Sequence, residues 1–164
     1  MKAQGINIFL VDDNKLMVTD LKHFLSNRFG ADLNISVFND GESCLAKIDK
    51  ETHIVILDYF LDGKNGLEIL KLIKNINPKT EVIMLSSNED IVLAIDTFRN
   101  GATDYVIKGN GALKKISKLV YRIITEPIRI IIREFGVSKY MAIFLFTFVS
   151  MGVVVLSVLY SIKH

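Results

Sequence analysis

The stretch HIVILDYFLDGKNG, His53 to Gly66, decides how this chain folds. Ile54–Leu57 is a run of four apolar residues, three of them β-branched, with no polar alternation. A run of that length and kind reads as a strand buried on both faces, as in a parallel sheet. Asp58 stands at its end. A carboxylate in that place is costly to desolvate unless something uses its charge. Asp62 follows four residues later, in a segment of loop character. The spacing of Ile69, Leu70 and Ile73 then predicts a helix that starts at Gly66 and is stopped by Asn77-Pro78.

Four more runs share the strand signature: Ile6–Val11, Ile35–Phe38, Glu81–Leu85 and Tyr105–Ile107. Each precedes a segment of helical spacing. After the first, Met17, Leu21, Phe24 and Leu25 share a face that Arg28 closes at its polar end. After the second, Asn39-Asp40 is a cap-like start, with Cys44, Leu45 and Ile48 as the inward stripe. After the fourth, Ser87 and Asp90 suggest a modified capping arrangement, and Asn100-Gly101 a left-handed C-cap. After the fifth, Gly111 leads into Leu113–Ile124. Strands alternating with amphipathic helices give an α/β fold with a five-stranded parallel sheet. Right-handed crossovers leave few topologies, and the expected one is doubly wound and flavodoxin-like, in the order 2-1-3-4-5.

In such sheets ligands bind beyond the carboxyl ends of the strands. Polar residues gather there in this sequence. Asp12 and Asp13 follow the first strand, Asp58 the third, Ser86 the fourth and Lys108 the fifth. Taken singly, each has an ordinary reading as a helix cap (Asp13 before a helix starting at Asn14) or a solvated surface group. Their coincidence across four strands argues for a site. Three crowded carboxylates repel one another, and a hard divalent cation such as Mg²⁺ relieves that repulsion with oxygen ligands. Asp58 can then act as a nucleophile toward phosphorus, with Lys108 and Ser86 stabilising the transferred group.

The motifs FLVDDN, VILDYF, VIMLSS and DYVIKG, in that order and spacing, resemble the receiver domain of two-component response regulators over about residues 5–124. The resemblance implies that Asp58 is the phosphoacceptor. It implies that Asp12 and Asp13 hold Mg²⁺ together with Asp58, and that the backbone carbonyl of Phe60 completes the protein's share of the coordination. Ser86 resembles the family's switch hydroxyl and Tyr105 its switch aromatic. The phosphodonor would be a sensor histidine kinase or a phosphotransfer protein, and the phosphorylated domain would remodel the face around its fourth helix and fifth strand. Two positions depart from the family pattern. Asp62 replaces a usual proline, and its plain reading is a loop residue facing water. Gly109 replaces another, so the loop after Lys108 is expected to be freer and Lys108 less tightly placed.

Charge is segregated along the chain. Through Gly111 there are 12 Lys and Arg against 16 Asp and Glu; from Ala112 to Lys139 there are 7 against 2. Tyr140 to Tyr160 is 21 residues without a charge. A helix of that length spans about 31 Å, enough for a hydrocarbon core of about 30 Å. The basic collar before it predicts an N-terminus in the cytoplasm. The expected organisation is a receiver domain at 1–125, a basic juxtamembrane linker at 126–139 and a C-terminal transmembrane helix at 140–162. Pro127 is expected to end or kink the fifth helix near Glu126, with the segment after it near the lipid surface. Small residues at Ser150, Gly152 and Ser157 signal a homodimer only weakly. One cysteine, Cys44, excludes a disulfide within the chain and suits a reducing compartment. The opening residues do not form a secretory signal.

The expected function is therefore a receiver tail-anchored at the inner, cytoplasmic membrane. It accepts phosphoryl on Asp58 and signals through an unknown downstream protein, without a DNA-binding domain or nucleic-acid partner. It is not expected to turn over a substrate. One alternative is a membrane-tethered scaffold that works without phosphorylation. Another is a Mg²⁺-dependent aspartyl phosphatase, which needs a second carboxylate where this chain has Phe60. The Phe60 side chain cannot hydrogen-bond an attacking water, so the phosphoryl group is expected to be long-lived. Phe60→Asn should shorten its half-life severalfold, measured as decay of the phosphorylated protein; equal decay in the two proteins would contradict this.

Overall fold

The computed structural model describes residues 5–63, 65–134, 144, 146–152 and 160. The chain divides into two units, Met1–Ile124 and Thr125–His164. In the first, strands β1 (Ile6–Val11), β2 (Leu33–Phe38), β3 (Ile54–Asp58), β4 (Glu81–Ser86) and β5 (Asp104–Ile107) alternate with helices. Those helices are α1 (Lys15–Phe29), α2 (Gly41–Leu45), α3 (Gly66–Ile76), α4 (Ile91–Arg99) and α5 (Ala112–Glu134), the last of which begins in the first unit and runs past its end. The sheet is parallel throughout, in the order β2-β1-β3-β4-β5. This is the order expected from the sequence.

Period-two alternation along the strands splits the core into two layers. On one face Ile8, Leu10, Ile54, Ile56 and Ile83 pack against Val18, Leu21 and Leu25 of α1 and Ile116 and Val120 of α5. On the other, Val55, Leu57, Val82 and Met84 pack against Ile69, Leu70 and Ile73 of α3 and Cys44 of α2. β3 is buried at every position, Asp58 included. The apolar run that opened the sequence reading is thus the centre of the sheet, and its carboxylate sits at the end of the best-shielded strand. Burial pushes the Cys44 thiol up to about 12, so it behaves as a small apolar side chain.

Several local expectations are corrected. Val18, absent from the expected stripe of α1, is buried, whereas Arg28 is exposed. Asn14, not Asp13, caps α1: its side chain accepts from the N–H groups of Leu16 and Met17, and Asp13 is left free of capping. Asp90 alone caps α4, while Ser87 is exposed. Helix α5 does not end at Glu126 but continues across Pro127 to Glu134. A proline removes one backbone bond, and the bonds on both sides let the helix continue past that gap. Among the described residues no helix is long and apolar enough to cross a membrane. Most of the expected span at 140–162 lies outside the described residues, as do 135–139 of the expected linker.

Gly66 has no room for a side chain. A Cβ there would lie 2.3 Å from the Asp58 carbonyl oxygen and 2.7 Å from the Tyr59 Cα, both backbone atoms that cannot turn aside. Gly66→Ala should therefore destabilise the domain by about 3 kcal/mol, the upper range for overpacking. Urea unfolding measures this, and an unchanged midpoint would show that α3 can slide away from β3.

Candidate functional site

The five strands end at one edge of the sheet, and residues at the ends of four of them, β1, β3, β4 and β5, build one acidic pocket. Asp12 follows β1 directly, and its N–H donates to the carbonyl of Phe38 at the end of β2 (3.2 Å). Its Oδ1 accepts from the N–H of Asn14 (2.9 Å), which fixes the carboxylate at the turn into α1. Asp58 ends β3, paired in register with Leu85 of β4. Lys108 follows β5, and its N–H donates to the Ser86 carbonyl (2.7 Å). The parallel register thereby carries all four strand ends to a common level.

Carboxylate oxygens of Asp12, Asp13 and Asp58 lie within 4.8 Å of one another. Asp12 and Asp58 are buried, and Asp13 is exposed at the mouth. The Lys108 ammonium sits 2.8 Å from Asp12 Oδ2 and 2.8 Å from Asp58 Oδ2. It bridges the two buried acids. Lys108, expected from Gly109 to be less tightly placed, has these two charged contacts, and its backbone N–H donates to the Ser86 carbonyl. Gly109 (φ 145°) and Gly111 (φ 93°) take backbone conformations that favour glycine, which shapes the loop without freeing the lysine.

Electrostatics keep Asp58 under tension. Burial raises its pKa above the ordinary carboxylate value, and this outweighs the lowering by Lys108; the nearby charge of Asp12 raises it further. Lys108 is held above its ordinary value by the two acids, against its own desolvation. Among the described residues, Asp58 Oδ1 is buried with no hydrogen-bond partner, and Asp12 Oδ2 has the ammonium beside it but no well-aligned hydrogen bond. Buried anionic oxygens with unused lone pairs fit a small hard cation, and an all-oxygen donor set with an open mouth fits Mg²⁺.

Around this centre the remaining predicted residues fall as follows. Ser86 is fully buried, and its Oγ accepts from the N–H of Asn88 (3.0 Å). Tyr105 is buried on β5, and its hydroxyl donates to the Asn88 carbonyl (2.9 Å). The side chain of Phe60 is half exposed and meets Tyr59 edge to face, with ring centroids 5.0 Å apart. Its N–H helps to hold Asp58 in the charged form. Asp62 is exposed, as its plain reading expected. Sequence reasoning missed Asn88 as a hub. Its backbone N–H and carbonyl tie Ser86 to Tyr105, and its Oδ1 accepts from the N–H of Asp90, the cap of α4. The signal was weak: backbone hydrogen bonds carry no side-chain signature.

A doubly wound five-stranded sheet with an Asp–Asp–Asp–Lys cluster at its C-terminal edge defines a class of phosphoryl-handling signalling domains. Residues 8–120 match the response regulator receiver domain family, and the chain belongs to it. It is 32% identical over 133 residues to the protein-glutamate methylesterase/protein-glutamine glutaminase of Thermotoga maritima, covering 79% of this chain and 38% of that one. It is 36% identical over 104 residues to the transcriptional regulatory protein CpxR of Klebsiella pneumoniae, covering 62% and 42%. The chain spans less than half the length of either relative. Among solved structures it resembles the BeF3-activated receiver domain of DrrB, with a TM-score of 0.66 and 29% identity over 74% of this chain and 98% of that one. Receiver domains bind Mg²⁺ through an acidic pocket and interact with histidine kinases or phosphotransfer proteins, and the Asp cluster here is consistent with that.

The raised pKa of Asp58 has a testable sign. A carboxylate whose folded pKa lies above its unfolded value costs stability when ionised, and the cost vanishes once pH falls below the unfolded value. In EDTA, Asp58→Asn should raise the urea midpoint at pH 7, and the gain should shrink toward pH 4. Adding Mg²⁺ should stabilise the parent far more than the variant. A pH-independent difference, or equal Mg²⁺ effects, would refute this account.

Proposed function

We propose that this chain is a membrane-anchored receiver that takes a phosphoryl group on Asp58 from a phosphohistidine of a sensor kinase or phosphotransfer protein. The observation that carries this is Asp58 itself: buried, tilted toward neutrality by its surroundings, yet paired to Lys108 and left with one unpartnered oxygen. Such an oxygen is an available nucleophile. In the transfer an Asp58 oxygen attacks phosphorus, the P–N bond to the donor imidazole breaks, and the leaving nitrogen keeps the electron pair. Asp12, Asp13 and Asp58, with the Phe60 carbonyl, would hold a Mg²⁺, which when bound supplies charge neutralisation at the transferring oxygens. Lys108, already between two acids, keeps its ammonium at the new anion.

Signal output follows from the loop between β4 and α4. Ser86 lies one residue beyond the position opposite Asp58, and its hydroxyl is the nearest neutral donor on that strand. A phosphoryl group that draws this hydroxyl removes the acceptor now bonded to Asn88 N–H. Asn88 in turn carries Tyr105 and the cap of α4, so the change reaches the α4–β5 face and a protein partner that binds there. The protein acts as a phosphoacceptor rather than as an enzyme with a turned-over substrate. The uncharged run Tyr140 to Tyr160 and the basic collar before it support a single-pass anchor that leaves the receiver in the cytoplasm.

Full-length chain, solubilised in neutral detergent with Mg²⁺ and acetyl phosphate, should gain the mass of one phosphoryl group. Asp58→Asn should abolish the gain, and Lys108→Ala should slow it by at least about tenfold. No gain in the parent, or gain that survives Asp58→Asn, would overturn the assignment. The anchor is checked separately: deleting residues 140–160 should move the protein from the membrane pellet to the supernatant.

A further inference from the structure

The sheet has two edges, and they are finished differently. β5 is four residues long and begins with Asp104, which pairs with Lys115 (3.3 Å) and Arg122 (3.5 Å). The Lys115 ammonium also donates to the Tyr105 carbonyl (2.7 Å), so this edge is shortened, charged and partly covered. The β2 edge has none of these devices. Its six residues, LNISVF, include no charge and no proline, and among the described residues β2 pairs with β1 alone. A bare edge of that kind is a template for another strand.

What lies above it says which strand. Leu33 and Ile35 pack on the α1 side of the sheet, and period two places Val37 on that side as well. Burial fades along the strand: Leu33 is 8% exposed, and Val37 is 39% exposed. Helix α1 therefore overhangs the end of β2 and leaves a groove of about 720 Å³. Val18 and Val37 give it an apolar lining; Lys15 and Lys22 give it cations and His23 a polar ring, while the Thr19 hydroxyl donates back to the Lys15 carbonyl (2.7 Å). These α1 residues follow helical spacing, so they form one continuous stripe along the groove. Asp20 falls off the stripe. Asp40, next to Asn39 at the mouth, is occupied with the N–H of Ser43 at the start of α2.

We propose that the β2 edge and the α1 stripe form a docking groove for an extended, acidic segment of a partner protein. The segment adds beside β2 through backbone hydrogen bonds, and its alternate side chains lie under α1. Those side chains are acidic, to meet Lys15 and Lys22, and their methylene stems lie against Val18 and Val37. A second copy of this chain is the poorer occupant. Its own β2 carries no acidic residue, and two-fold pairing of the edges would bring two lysine stripes to one side. The groove adjoins the pocket on the β2 side of Asp12, whose N–H bonds the Phe38 carbonyl, and lies at the opposite edge of the sheet from the α4–β5 face.

The test uses the full-length chain in neutral detergent and a labelled, N-acetylated, C-amidated peptide, Thr-Glu-Val-Glu-Val-Glu-Thr, followed by fluorescence anisotropy. One register puts all three glutamates under α1. The peptide should bind saturably, and two controls should bind at least about tenfold more weakly: Lys in place of Glu, and a peptide N-methylated at every Glu and Val, which has no N–H there to donate to the edge in either strand direction. Lys22→Glu, an exposed change, should weaken the acidic peptide by at least about tenfold and favour the lysine peptide. Val37→Glu should also block binding, because it puts a like charge against the glutamates. Equal binding of the N-methylated peptide would mean a charged surface without strand addition and would overturn the proposal. So would absence of saturable binding, or a dimer that Val37→Glu dissolves while the peptide leaves it intact.

Discussion

One ammonium between two buried carboxylates organises this molecule. Asp12 and Asp58 are both sealed from water at the end of the sheet, and without Lys108 each would face the other's charge in a poorly polarisable setting. The lysine comes from the fifth strand and the acids from the first and third, so the pair can exist only if the whole sheet has assembled in its proper order. Chemistry and topology are therefore the same constraint here. A receiver that failed to fold would have no site, and a site without its lysine would strain the fold that holds it.

That constraint also explains why the chain's sheet and pocket were legible before any coordinates. Buried parallel strands write themselves as continuous apolar runs, and β1 came out residue for residue while the others shifted by one or two positions. Asp12, Asp58, Ser86 and Lys108 announced themselves because a polar residue at the end of such a run has few uses. The less legible features depend on the backbone or on three-dimensional overlap. Asn88 acts mainly through its own N–H and carbonyl. Val18 was hidden by neighbouring apolar residues that made a slightly rotated stripe equally plausible. Pro127 suggested a helix end because the local rule for proline carries no knowledge of the turns on either side. The groove beside β2 arises from how far α1 reaches over an edge strand, which no spacing in the sequence encodes.

Two positions that differ from the usual receiver pattern come out differently. Asp62 is a solvated loop residue, in keeping with the surface position of loops. Gly109 matters more: with Gly111 it gives the β5–α5 connection a path of positive φ angles, and Lys108 is still held at 2.8 Å from each acid. The lysine is fixed by its charged partners rather than by the stiffness of the loop that follows it. Placement by charge has a corollary, since a new anion at Asp58 competes for the ammonium that now holds Asp12.

The closed contact at Gly66 gives the domain a mechanical polarity. The start of α3 rests directly on the backbone of Asp58 and Tyr59, with its N–H bonded to the Tyr59 carbonyl at 2.8 Å. On the opposite flank, side-chain space beyond Gly109 and Gly111 is empty within 4 Å. Backbone atoms thus close the α3 side of Asp58, whereas the loop after β5 has room at Gly109 and Gly111 among the described residues.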